Sequence, residues 1–228
     1  MIPSDDLKKL IREAKVVCFD VDSTVIQEEG IDELAAFKGK GQAVAELTAN
    51  AMGGSMLFQD ALAARLDLIQ PSKAELQEFM SKAPLKLSDG VKDVIDHLHS
   101  KGVLVYLVSG GFRQMIEPIA EILDVPFHRI YANSLLFNAD GSFAGFDKDE
   151  PTSRDGGKPA VIQLLLNTHG EDSIRPILMV GDGATDMQAK PPVDAFLGFG
   201  GVVKREAVEK GADWFITDFG DLLTVLKE

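Results

Sequence analysis

With a single cysteine, Cys18, the chain can form no intrachain disulfide, so its fold rests on an ordinary core and fits a reducing compartment. Cys18 stands inside an apolar run and reads as a small buried hydrophobe, not as a catalytic thiol. No stretch approaches the ~20 consecutive apolar residues of a membrane span. The opening segment "MIPSDDLKKLIREAK" is charged from Asp5 onward and has no apolar h-region, so no secretory signal is expected. The expected location is the cytoplasm, or an organelle stroma if a transit peptide has been removed. Positive charge is also scarce. A net charge of −13 argues against nucleic acid or an anionic membrane as partner, and an anionic substrate would need local cations or a metal to reverse the field. Internal repeats, low-complexity tracts and long linkers are missing too. The four histidines, His97, His99, His128 and His169, have no metal-ligand spacing. Nothing in the composition speaks against a homodimer.

What the 228 residues do contain is enough for one generous domain, or a domain with a sub-domain. Apolar runs recur at 16–21, 103–109, 177–182, 195–200 and 214–217. Helix-like segments separate several of them. "DGVKDVIDHLHSKG" places Val91, Val94, Ile95 and Leu98 at helical spacing with Gly102 as C-cap, and "FRQMIEPIAEILD" and "KPAVIQLLLNTHG" follow the same pattern. This alternation predicts an α/β fold, a mostly parallel sheet with helices on both faces. Residues 28–84 break the rhythm: four helical patterns and no strand, a small helical insertion after the first strand. A second interruption, 133–146, alternates around Asp140-Gly141 as a β-hairpin does.

Three apolar runs end in polar groups. The first, "VVCFDVDST", ends in Asp20 and Asp22; others end in Ser109-Gly110-Gly111 and in Gly181-Asp182-Gly183, with Thr185 and Asp186 close behind. Carboxylates at the end of a buried strand need compensation for lost hydration. In open parallel sheets the carboxyl ends of the strands face one crevice, where ligands bind. Lys158, opening a helix in "RDGGKPA", can join them there. Each feature alone has a plain explanation as a helix cap, a tight turn or a solvated lysine. Four in register at one sheet edge do not. Side chains at i and i+2 on a strand point the same way, so Asp20 and Asp22 are expected to reach one group together.

Taken in order, "DVDST", Ser109, Lys158 and "GDGATD" resemble the four motifs of the haloacid dehalogenase-like phosphohydrolases, a likeness running from residue 16 to the C-terminus. It implies a Rossmann-like parallel core formed by residues 1–27 and 85–228, with residues 28–84 as a helical cap. It implies that Asp20 attacks phosphorus to form an aspartyl-phosphate while Asp22 is the general acid and base. It further implies Mg²⁺ held by Asp20, the backbone carbonyl of Asp22 and Asp182. Phosphate oxygens then fall to Ser109, Gly110, Gly111 and Lys158, with Asp186 supporting Lys158 and the metal shell. "EEGIDELA", "AMGGSMLFQDALAARL", "LVSGGFRQMIEPIA" and "GDGATDMQA" are closer still to family members that act on O-phosphoserine, in the last step of serine biosynthesis by the phosphorylated route. By that likeness Glu29 meets the substrate ammonium and Arg65 its carboxylate, Met52, Gly53 and Phe58 line the pocket, and Asn133 and Thr185 lie at its rim. Phe58 serves equally well as cap-helix core, and Arg65 taken alone reads as a surface ion-pair residue. "KPPVDAF", 190–196, is the least similar stretch and is expected away from the chemistry. Two rivals stay open: a phosphatase or phosphotransferase for another small phosphomonoester, and a non-enzymatic phospho-accepting receiver domain. Asp22 and the 28–84 insertion argue against the receiver.

Overall fold

A computed structural model describes residues 3–50, 56–82 and 85–228. Met52 and Gly53 lie outside the described residues. Six strands form one parallel sheet: β1 (Val16–Phe19), β2 (Leu104–Phe112), β3 (Ile130–Asn133), β6 (Ile177–Gly181), β7 (Ala195–Phe199) and β8 (Trp214–Ile216), in the order β3-β2-β1-β6-β7-β8. Between β3 and β6 a separate antiparallel hairpin joins β4 (Leu135–Phe137) to β5 (Phe143–Phe146). The expected α/β class, parallel sheet and hairpin are therefore present. The five apolar runs became five of the six strands; β3, "IYAN", is the one that the runs did not reveal.

Continuous apolar runs are what a parallel sheet covered on both faces demands. Along β1 the side chains alternate between two cores: Val17 and Phe19 join the cluster under the helix Val91–Ser100, Val16 and Cys18 the cluster under the helix Gly157–His169. Cys18 is fully buried, which pushes its thiol far above the usual range and leaves it unreactive. β1 has β2 on one side and β6 on the other, and the connections depart in opposite directions from it. The crevice at its carboxyl end is the natural ligand site of such a sheet.

One geometric expectation is corrected. The strand stops at Phe19, and the chain turns at once through Val21–Val25 in a single wide helical turn, with Ser23 in the left-handed region at φ 53°. The two acids share a site because of this turn, not because of strand alternation.

Among the described residues of the insertion there are four helices, Gly30–Phe37, Gly41–Asn50, Phe58–Ile69 and Lys73–Lys82. The segments that enter and leave it pair antiparallel at its base: Gln27 N–H donates to Lys86 O at 2.9 Å, and Ser88 N–H to Val25 O at 2.9 Å. Its apolar core contains Leu34, Leu62, Leu66 and Phe79, but also Phe112 from the end of β2, Met115 from the helix that follows, and Leu135 and Phe146 from the hairpin. The hairpin thus packs under the helical insertion and adds a backbone bond, Lys73 N–H to Gly141 O at 2.9 Å.

Candidate active site

Over the carboxyl ends of β1, β2 and β6 lies a cavity of about 220 Å³, with the sheet as floor and the Phe58–Ile69 helix as one wall. Asp20, Asp22, Glu29, Phe58, Arg65, Gly110, Gly111, Lys158, Asp182 and Thr185 all line it. Ser109, Asn133 and Asp186 are buried just behind the wall. Residues 190–196 take no part in the lining.

Lys158 opens its helix after Gly156 and reaches inward, where its ammonium lies 2.8 Å from Asp20 Oδ1 and also bonds Asp186 Oδ1. Burial alone would lower this ammonium; the two carboxylates outweigh it and hold Lys158 above its ordinary range. Asp186 turns its other oxygen to the Gly183 N–H at 2.9 Å, so both its oxygens are committed to positioning. Asp22 accepts from the Gly30 N–H at 2.7 Å and, at a long 3.4 Å, from Ser109 Oγ. Its carboxyl is pushed up to about 7, by burial first and then by the neighbouring Glu29 and Asp20 carboxylates. Asp22 can therefore carry or release a proton near neutral pH. Gly111 passes so close that a Cβ there would stand 2.5 Å from Asp22 Oδ2; only glycine lets the backbone amides approach this carboxylate.

Asn133, expected at the rim, is instead fully buried at the end of β3. Its side-chain N–H donates to Gly110 O at 2.7 Å, and its side-chain oxygen accepts from Thr152 Oγ1 at 3.0 Å. It therefore holds the irregular Gly110-Gly111 end of β2 from behind. At the other end of the cavity Glu29 accepts from Ser23 Oγ at 2.7 Å, and burial raises its carboxyl above the ordinary range. Arg65 is half-buried, and desolvation lowers its guanidinium. Its Nε donates to Ala61 O at 3.3 Å, and no carboxylate pairs with it among the described residues.

Asp20, Asp182 and Asp186 each turn an oxygen to within 4.8 Å of the others. Thr24 Oγ1 donates to Asp182 Oδ1 at 3.2 Å, while the buried Asp182 Oδ2 is ion-paired with the Arg205 guanidinium. Three buried carboxylates brought this close together suit a hard divalent cation with oxygen ligands. No histidine enters this group.

Arg205 was missed by motif reasoning. It follows β7, donates to Asp182 O at 3.2 Å and comes within 3.8 Å of Glu29. The signal was available: "KR" in the loop after a strand end, in an acidic chain, obeys the same rule that located the other residues. Arg154, Thr152 and Gln188 also line the cavity, and the sequence had suggested no role for them.

Compared with known proteins, residues 14–189 match the family model of the haloacid dehalogenase-like hydrolases. The phosphoserine phosphatase of Bos taurus is 49% identical over 228 residues, spanning the whole of both chains. The chloroplastic phosphoserine phosphatase of Arabidopsis thaliana is 49% identical, over 99% of this chain and 76% of that one. A solved phospho-aspartyl intermediate analogue of a phosphoserine phosphatase superposes with a TM-score of 0.78 at 25% identity, covering 92% of this chain and 98% of the other.

Proposed function

The chain belongs to the haloacid dehalogenase-like hydrolases, and from that membership we propose that it hydrolyses O-phosphoserine to serine and phosphate, with Asp20 as nucleophile and Asp22 as proton carrier. Arg65 carries the choice of substrate. In a chain with 36 acidic residues, its guanidinium lines the cavity with no carboxylate partner among the described residues. A desolvated cation in that position is a receptor for a carboxylate brought by the ligand. Glu29 offers the complementary charge for an ammonium, and Lys158 with the Gly110 and Gly111 amides takes the phosphoryl group.

The steps follow from these positions. Lys158 neutralises the ester and holds Asp20 against it, so an Asp20 oxygen attacks phosphorus and the serine oxygen leaves. Asp22, held near neutral pKa, gives its proton to that oxygen. In the second half Asp22 takes a proton from water, which attacks the phosphoryl group on Asp20 and releases phosphate. Asp20, the Asp22 carbonyl and Asp182 would hold Mg²⁺, which supplies charge neutralisation for the phosphoryl oxygens. Residues 1–27 and 85–228 act as the catalytic core, and residues 28–84 as a cap that excludes water and reads the amino-acid end. By sequence likeness Met52 and Gly53 are further candidates for substrate binding. No helix among the described residues is long and apolar enough to cross a membrane, and we assign the enzyme to the cytoplasm or an organelle stroma.

The test is phosphate release from phosphoserine, phosphothreonine, phosphoethanolamine and glycerol 3-phosphate, each with Mg²⁺ and with excess chelator. Phosphoserine should lead by at least about tenfold in kcat/KM, a margin of ~1.4 kcal/mol, and chelator should abolish release. A preference for an ester without a carboxylate, or full activity in chelator, would refute the assignment.

A further inference from the structure

The Phe58–Ile69 helix carries Phe58, Leu62 and Arg65 to the cavity, yet it lacks a cap of its own. Its N-cap position is Leu57, a side chain that accepts no hydrogen bond. The first amide is satisfied from elsewhere: Phe58 N–H donates to Asp155 Oδ2 at 3.3 Å, across 97 residues of sequence. Asp155 N–H in turn donates to Gln59 Oε1 at 3.3 Å. This reciprocal pair has the logic of a capping box, an acceptor for the helix amide and a side chain reaching back to the capping residue's own N–H. Here the box is split between two parts of the chain. The carboxylate also meets the positive end of the helix dipole.

Asp155 is tied to the phosphate end of the cavity as well. Gly156, at φ 71°, turns the chain from Asp155 into the helix that begins Gly157-Lys158. Gly157 has no room for a side chain, since a Cβ there would stand 2.8 Å from Thr152 Cα. Phe58 completes the contact: a Cβ on Gly110 would lie 3.0 Å from its ring. One exposed side chain therefore joins the helix bearing Arg65 to the segment bearing Lys158.

We propose that Asp155 and Gln59 form a latch that fastens the Phe58–Ile69 helix to the core and positions Arg65 over the substrate. Because the cap of this helix resides on the core, opening the site strips the helix of its cap, and closing restores it. The latch governs the hold on the amino-acid end of the ester and leaves the chemical step to the residues beneath. It rests on the functional assignment above for its substrate but not for its geometry.

The experiment compares wild type with Asp155→Ala, Asp155→Asn and Gln59→Ala in two measurements. One is KM and kcat for phosphoserine. The other is amide hydrogen exchange over residues 58–61 without substrate. A capping contact of ~1 kcal/mol corresponds to about fivefold, at ~1.4 kcal/mol per tenfold. Asp155→Ala should thus raise KM about fivefold without lowering kcat, and speed exchange at the helix start by a similar factor. Asp155→Asn keeps an acceptor oxygen and should stay within about twofold of wild type. Gln59→Ala should move both quantities in the same direction by less, and it carries the test if Asp155→Ala fails to fold. Unchanged exchange, unchanged KM, or a kcat loss shared by Asp155→Asn would each overturn the latch. If wild type ignores phosphoserine, the functional assignment falls, and the exchange measurement still decides the latch.

Discussion

Arg65 and Lys158 are two cations in one cavity with opposite surroundings. Lys158 is bound by Asp20 and Asp186, whereas among the described residues Arg65 hydrogen-bonds only the Ala61 carbonyl and feels Asp32, Glu29 and Asp22 without pairing with them. Their substitutions should therefore differ in kind. Removing a desolvated, charge-assisted contact to a carboxylate costs a few kcal/mol. Arg65→Ala should lower kcat/KM for phosphoserine by roughly ten- to a thousandfold. Phosphoethanolamine, which has no carboxylate, should be cleaved as before. Lys158→Ala should damage both substrates alike, because both share the phosphoryl group. Steady-state kinetics on two substrates and three proteins checks this; equal losses on both with Arg65→Ala would make Arg65 a structural residue. Sequence alone left Arg65 open to a surface ion pair. Spacing cannot report whether a carboxylate waits across the fold, and among the described residues none pairs with it.

At the scale of elements, β3 is the informative case. Only four residues long and at the sheet edge, Ile130–Asn133 has too few apolar positions to announce itself as a strand. Its last residue nevertheless braces the Gly110-Gly111 end of β2, with Asn133 linked to Gly110 O and Thr152 Oγ1. Asn133→Ala would leave both groups buried without that partner, at a cost of about 1–3 kcal/mol. For a chain of this length each kcal/mol lowers Tm by about 2–4 °C, so a fall of several degrees is expected in thermal unfolding. Weaker binding of inorganic phosphate should accompany it, because the Gly110-Gly111 amides lose their brace. An unchanged Tm would mean that water replaces the asparagine at no cost. The helices were far more legible than β3: Val91–Ser100 and Gly157–His169 follow their apolar periodicity through several turns.

For the whole molecule, the acidic balance concentrates into one consequence. Asp20, Asp182 and Asp186 crowd together, all buried, in a chain of net charge −13. A divalent cation that binds this group in the folded state alone stabilises it by about 2.7 kcal/mol at a hundred times its Kd. With about 2–4 °C per kcal/mol, saturating Mg²⁺ should raise Tm by about 5–10 °C, and chelator should reverse the rise. Asp182→Asn should keep the fold and lose most of the Mg²⁺ response. A wild-type Tm indifferent to Mg²⁺ would argue against a folded-state metal site, whatever the activity assay reports.

The sequence by itself determined the sheet, the place of the helical insertion, and the crevice where Asp20, Ser109, Lys158 and Asp182 meet. These depend on local pattern: apolar runs build buried strands, and a parallel sheet sends every strand end to the same edge. Tertiary structure alone decided what each side chain finds there. It ended β1 at Phe19 and let the Ser23 turn aim the two acids. It buried Asn133 behind the end of β2, brought Arg205 to Asp182, and set Asp155 at the head of a helix 97 residues away. Such pairings join segments distant in sequence whose meeting is set by how helices and sheet pack, and packing leaves no periodic trace in either segment.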